Sequence, residues 1–371
     1  ISLILAAAMV VGLAGTVGAA RVGSITVDPT SPSNNRRPTW TWTLSDDSWN
    51  RPLRRFEVVL KVSADDGASW SNVGTYYTST FTSGNPAISD RTWQPSSDLT
   101  ANRLYAITVT PQSRGLFPTW KDDTASGSLT STAYLLDTQA PSAVDTFMSP
   151  TSPSNDSTPT WRWLASTDPD PSPSGVDHYN VQIRYNGGGF VAADPNTAMA
   201  TLNPEWTANG LPPNGAADGP YELRVQAVDK AGNMSGWSVP SPVFNYDTTP
   251  PTVITDLLSS PSGQTNSTAA LWTWTSGADD QNAVYNSGVL HDELRWKRTD
   301  LSWELVNPAT SGYSFSSALD NSGSGTYYVQ VRTVDKATNG TWSAGVSLKY
   351  DTTAPVIAAV TPAASAKLNA A

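Results

Sequence analysis

The chain has 371 residues, room for two to four domains rather than one. Its formal net charge of -10, with only 22 Lys and Arg, excludes a nucleic-acid partner, because phosphate binding needs clustered positive charge. The absence of Cys removes disulfides, thiol nucleophiles and Cys-ligated zinc, and only two His leave few general bases, so the composition argues against an enzyme.

In chain order, residues 1–20 are uncharged and end in the small-residue run Val17, Gly18, Ala19, Ala20. Two readings stand: the apolar core and cleavage region of a removed secretory signal, or a retained hydrophobic helix long enough to cross a bilayer or pack in a filament core. Both place the remaining chain outside the cytoplasm, at the cell surface or beyond, with any membrane contact confined to residues 1–20.

Beyond Arg21, self-similarity at long period dominates. PTSPSN occurs at 29–34 and 150–155, and each copy precedes a Trp doublet, Trp40 with Trp42 and Trp161 with Trp163. A third doublet is Trp272 with Trp274. Each unit closes on a DT motif, LLDTQAP at Asp137, NYDTTPP at Asp247 and KYDTTAP at Asp351, and YELRVQAVDKAGN at 221–233 aligns with YYVQVRTVDKATN at 327–339. The units therefore run 21–139, 140–249 and 250–353. A tail, 354–371, resembles the opening strand of a further unit, and its segment Val356–Val360 is also readable as a strand offered to a neighbouring subunit.

Within each unit, apolar residues alternate at period two between Gly, Pro, Asn and Ser, which is the strand pattern. In TWTWT the Trp residues share one face; in YELRV the inward row is Tyr221, Leu223 and Val225. Many short strands in roughly a hundred residues predict an all-β fold: three tandem Ig-like or fibronectin-III-like β-sandwiches, preceded by one hydrophobic segment. PTWxW, YxxxVxxVDKAxN with a following Trp, and YDTTxP together resemble the tandem Ig-like repeats of bacterial surface and secreted proteins. The resemblance covers nearly all of residues 21–353, although the first unit has PQSRGLF where the others have the VDKA stretch. It implies a non-enzymatic extracellular stalk, spacer or adhesive element. Its partners would be other surface proteins, polysaccharide or copies of itself. Two alternatives are a pilin-like filament subunit with the N-terminal helix in the filament core, and a carbohydrate-binding appendage of a larger secreted enzyme.

Most Trp residues recur by repeat position, which points to core. These are the doublets; Trp120, Trp237 and Trp342 after the VDKA-type turn; Trp70, Phe190 and Trp303 in a middle hairpin; and Trp93, Trp206 and Tyr313 in a later strand. Trp49 and Trp296 lack counterparts and are the candidate ligand platforms. SADDGASW at 63–70 has Asp-box spacing and predicts a polar hairpin turn at Asp65, Asp66 and Gly67. No cofactor or catalytic residue is indicated. Acidic residues do recur: Asp46 and Asp47, Asp168 and Asp170, Asp279 and Asp280 after the doublets, Asp229 and Asp335 before the exit turn, and Asp137, Asp247 and Asp351 at the junctions. Carboxylates converging between stacked units would supply calcium ligands, with Asp137, Asp247 and Asp351 as the candidates; the alternative is that each Asp starts a turn. His178 and His291 occupy matching strand-entry positions in separate units.

Overall fold

The computed structural model describes residues 20–357 apart from 48, 50, 52, 83–87, 115–117, 123–126, 170–171, 194–203, 212–217, 281–284 and 315–322. The hydrophobic segment 1–19, Asp170 and the tail from 358 onward lie outside the described residues.

The first unit contributes β1 (Arg21–Asp28), β2 (Thr39–Asp46), β3 (Leu53–Ser63), β4 (Ser71–Tyr77), β5 (Thr92–Trp93), β6 (Arg103–Arg114), β7 (Lys121–Asp122), β8 (Leu129–Thr130) and β9 (Tyr134–Leu136). The second contributes β10 (Phe147–Met148), β11 (Thr160–Trp163), β12 (Val176–Tyr185), β13 (Val191–Ala192), β14 (Glu205–Thr207), β15 (Gly219–Asp229) and β16 (Phe244–Tyr246). The third contributes β17 (Leu258–Ser260), β18 (Gly263–Thr265), β19 (Leu271–Thr273), β20 (Val289–Arg298), β21 (Glu304–Ala309), β22 (Gly325–Asp335) and β23 (Val346–Tyr350).

Each unit is a pair of sheets. The smaller ones are ordered β1-β2-β5, β10-β11-β14 and β17-β19, and the larger ones are built on β4-β3-β6-β7, β13-β12-β15-β16 and β18-β23-β22-β20-β21. The three hydrophobic cores draw separately on residues 22–136, 144–246 and 254–350. All three Trp doublets are buried at the centres of these cores, none more than 6% exposed. Cross-strand register seats Trp40 opposite Trp93, Trp161 opposite Trp206 and Trp272 opposite Tyr313, which is the recurrence read from sequence. In β15 the inward row Tyr221, Leu223 and Val225 is at most 1% exposed, as the alternation requires.

A phenol fastens the start of the central strand in two units: Tyr105 Oη donates to Thr100 O at 2.8 Å, and Tyr327 Oη donates to Gly323 O at 2.7 Å. This is the tyrosine corner of Ig-like sandwiches. The segment after β15 pairs with it through serines three apart rather than through a regular strand. Ser235, Ser238 and Ser241 donate their N–H groups to the carbonyls of Ala227, Val225 and Leu223. Their hydroxyls accept from the N–H groups of the same three residues at 2.9–3.0 Å. Ser343 does the same for Val331, and Ser131 for Ile107. A side-chain oxygen thus replaces the ladder carbonyl and satisfies the N–H groups of Leu223, Val225, Ala227, Val331 and Ile107.

One sequence expectation is corrected by where several recurrent aromatics lie. Trp120, Trp237, Trp342, Phe190 and Trp303 do not enter the cores; they sandwich arginines on the outer face of the larger sheets. Arg55 stacks between Tyr77 (3.7 Å) and Trp120 (4.3 Å), Arg224 between Phe190 (4.3 Å) and Trp237 (4.7 Å), and Arg295 between Trp303 (4.6 Å) and Trp342 (4.4 Å). Trp70 also lies outside the core, 38% exposed beside the Asp-box turn. Recurrence marked a shared fold position, and here that position is an outward one where the guanidinium plane covers the indole.

Candidate metal-binding junctions

The candidate site forms where one unit hands over to the next. Asp137 directly follows β9, and its N–H donates to Ser33 O at 3.1 Å, fixing the linker against the body of the first unit. Its Oδ1 accepts from Gln139 N at 3.0 Å, an Asx turn that starts the linker, and its Oδ2 accepts from Ser174 N of the second unit at 2.9 Å. Asp168, in the loop after the Trp doublet, accepts from Gly175 N at 2.8 Å. Gly175 sits at φ +81, a left-handed conformation that glycine adopts freely, and so can turn its N–H onto that carboxylate. Asp229 closes β15 and accepts from both the N–H and the side-chain amide of Asn233 at 2.8 Å. The same amide donates to Asp137 O at 3.0 Å, so the VDKAGN turn grips the linker from above.

The second junction repeats this construction residue for residue. Asp247 N donates to Ser154 O, and Asp247 accepts from Thr249 N and from Ser287 N at 2.7 Å. Asp279 accepts from Gly288 N at 2.5 Å, Gly288 having φ +83. Asp335 accepts from Asn339 N and Nδ2 at 2.8 and 2.9 Å, and Asn339 Nδ2 donates to Asp247 O at 2.8 Å.

In each junction one carboxylate oxygen per Asp converges: those of Asp137, Asp168 and Asp229, and those of Asp247, Asp279 and Asp335, all lie within 4.8 Å of one another. Asp137, Asp247 and Asp335 are fully buried and Asp229 is 2% exposed. Among the described residues no Lys or Arg pairs with Asp229, Asp247, Asp279 or Asp335. Asp279 Oδ1 is buried without a hydrogen-bond donor. Burial, then the neighbouring Asp247 and Asp335 carboxylates, push the Asp279 carboxyl above its ordinary value; burial is also the leading cause that raises Asp335. Three hard oxygens drawn from two units are a donor set suited to calcium.

Of the three sequence candidates, Asp137 and Asp247 fall in these clusters and Asp351 does not. Its Oδ1 accepts from Thr353 N at 3.0 Å and its Oδ2 lies 3.7 Å from Lys349 Nζ; the Thr353 backbone N–H first, and then Lys349, hold its carboxyl low. Asp168, Asp229, Asp279 and Asp335 were legible as recurrent acids, but their convergence with the linker Asp was not. Asp46 and Asp47 join neither cluster.

The first junction has one further contact. The Asp-box turn predicted at 65–67 is present, with Asp66 at φ +53 and Gly67 at φ +89. Hydrogen bonds from the Ser69 hydroxyl first, and then from Ser63, hold Asp65 down at about 2. Asp66 Oδ1 then accepts from Ser172 Oγ of the second unit at 2.8 Å, so this hairpin serves as a strut between units.

Of the two candidate ligand platforms, Trp296 is corrected: it is 5% exposed, packs 6.1 Å from Tyr327 in the third core and offers no surface. Trp296 continues the buried alternation of β20 that runs through Asp292 and Leu294. Trp49 is half-buried, edge-on to Phe56 and Phe81, with Arg54 over its ring. His178 lies 2.8 Å from Asp177 and His291 3.4 Å from Glu293, in separate units.

No family model matches the chain, and no curated protein matches it. Among solved structures, the crystal structure of the chicken CNTN1 FN1-FN3 domains is similar over 89% of this chain and 99% of that chain, at 12% identity and a TM-score of 0.34. The assignment of tandem fibronectin-III-like or Ig-like sandwiches rests on the strand pairing within each unit.

Proposed function

We propose that this chain is a non-catalytic extracellular spacer of a bacterial cell surface, a stalk of tandem sandwiches whose junctions are braced by calcium. One observation carries the reading: the same constellation of linker Asp, loop Asp, strand-end Asp and clamping Asn is built at both junctions, with its carboxylates crowded together. Three carboxylates at this spacing repel one another in a medium less polarisable than water, so the closed junction needs a proton or a cation among them. Calcium takes six to eight oxygen ligands in flexible geometry and leaves room for water beside three carboxylates. Because the linker Asp belongs to one unit and the other two to the next, a bound ion stiffens the angle between sandwiches. A spacer needs such stiffness and needs no pocket for chemistry.

The test is small-angle scattering and thermal melting of the same protein in calcium and in chelator. Calcium at about 100 times its Kd should add roughly 2.7 kcal/mol per site, raise the Tm and narrow the spread of inter-unit angles. Identical scattering curves and identical Tm in the two buffers overturn the reading.

A further inference from the structure

The far end of the third unit repeats the lower half of the two junctions. Ser33 and Ser154 receive the N–H of Asp137 and Asp247, and Thr265 receives that of Asp351 at 2.9 Å. Oδ1 of each linker Asp accepts the N–H two residues on, from Gln139, Thr249 and Thr353. The residue after each receiving carbonyl is Asn34, Asn155 or Asn266. In the two closed junctions that Asn touches the turn of the incoming unit: Asn34 N donates to Ala231 O at 3.2 Å, and Asn155 Nδ2 donates to Asn339 Oδ1 at 2.9 Å.

What differs is the cover. The Asp351 side chain is 39% exposed, whereas Asp137 and Asp247 are fully buried. Beyond it, Val356 and Ile357 are 92% and 87% exposed, whereas Val253, at the place of Ile357 in the second linker, is 45% exposed. An adjacent Val and Ile in water on a preformed linker leave apolar surface for an incoming unit to cover.

We propose that the end formed by Thr265, Asn266 and Asp351 is a docking half-site for one more sandwich of the second-and-third type, joined to it through residues 352–357. The occupant presents a Ser N–H that Asp351 can accept from, as Asp137 and Asp247 accept from Ser174 and Ser287, and an Asp-Lys-Ala-x-Asn turn whose Asn amide reaches the Asp351 carbonyl. The first unit is not such an occupant, since it carries PQSRGLF where that turn would be. A second copy of this chain therefore does not seat its leading end here. This inference stands on hydrogen-bond geometry and packing and does not depend on calcium.

Because the chain has no Cys, engineered thiols give a clean test in chelator. A copy of residues 144–249 is joined directly after residue 357, so that Val144 of the copy stands seven residues beyond Asp351 as it does beyond Asp137. Asn266→Cys is then combined with a cysteine at the appended copy's counterpart of Ala231. The pair Asn34→Cys with Ala231→Cys, in the unextended chain, is the reference. The half-site predicts a disulfide within the extended chain at a rate within about threefold of the reference, slowed at least about tenfold by Asp351→Ala or by a Gly/Ser linker in place of residues 351–353. Three results overturn it: oxidation no faster than with the Gly/Ser linker, insensitivity to Asp351→Ala, or disulfides forming chiefly between separate chains.

Discussion

The sandwich interiors and the junctions between them both repeat, but they repeat opposite things. Inside, recurrence preserves apolar volume: Trp161 meets Trp206 at 5.5 Å and Phe244 at 5.5 Å, and every such contact favours folding. At the junctions, recurrence preserves a liability, three carboxylates within 4.8 Å of one another, and in the second junction burial raises Asp279 and Asp335. A feature that costs stability in the isolated fold and is nonetheless built twice in the same detail marks a function.

The largest expected effect is in the interior. Trp161→Ala should cost about 3–5 kcal/mol and unfold the second unit well before the others, read as a split thermal transition; a single unshifted transition would deny that the doublets are the core centres. Next comes the serine ladder. Ser238→Ala leaves the buried Val225 N–H without its 3.0 Å acceptor, at a cost of about 1–3 kcal/mol in denaturant melts, whereas Ser238→Thr retains most of it.

A smaller change separates a strut from a core. Asp66→Ala should shift the Tm by under about 1 kcal/mol equivalent, yet widen the angle distribution between the first two units in single-molecule distance measurements, because its bond to Ser172 crosses the junction. An unchanged distribution would remove the hairpin from the interface.

The smallest effect is in pH dependence, where its sign separates the two classes of carboxylate. Asp279 and Asp335 titrate above the ordinary value when folded, so the native state holds protons more tightly than the unfolded chain. In chelator, their contribution to stability therefore falls as pH rises from the ordinary carboxylate value through their raised values, and Asp279→Asn flattens that slope. Asp65, held at about 2, behaves in the opposite way: its contribution is present above the ordinary value and is lost as pH falls through about 2. Melting of the third unit that is independent of pH from 4 to 7 in chelator, with or without the substitution, would contradict the crowding of its carboxylates.

How far the sequence could be read follows from which interactions are periodic. Alternation placed Tyr221, Leu223 and Val225 inward, because a strand's geometry is local and its period is two; repeat spacing gave Trp93, Trp206 and Tyr313 one shared position, which the structure seats opposite the doublets. Trp237 and Trp342 escaped that logic. Trp237 sits on a segment held by serines at intervals of three, and Trp342 beside Ser343, which makes the same paired contact; the spacing of Ser235, Ser238 and Ser241 was the available signal. Trp296 shows that lacking a repeat partner is no sign of exposure. For the junctions, each Asp was visible as a recurrent acid, but Asp168, Asp229 and Asp137 meet only because a glycine turn and an Asn clamp fold two loops over the linker. No single strand pattern encodes that meeting. The third unit adds a private variation: Asp292 accepts from Trp274 Nε1, Ser276 Oγ and Thr333 Oγ1 and lies opposite Thr333, where the second unit has Tyr179 opposite Ala227 and ring-packed on Trp163.

Equilibrium dialysis with calcium, on the full chain and on the Asp247→Asn variant, tests the junction account most directly. Two ions bound per chain, falling to one in the variant while the circular dichroism of all three sandwiches is unchanged, is the predicted result. No saturable binding to the parent chain, or equal binding by the variant, would contradict it.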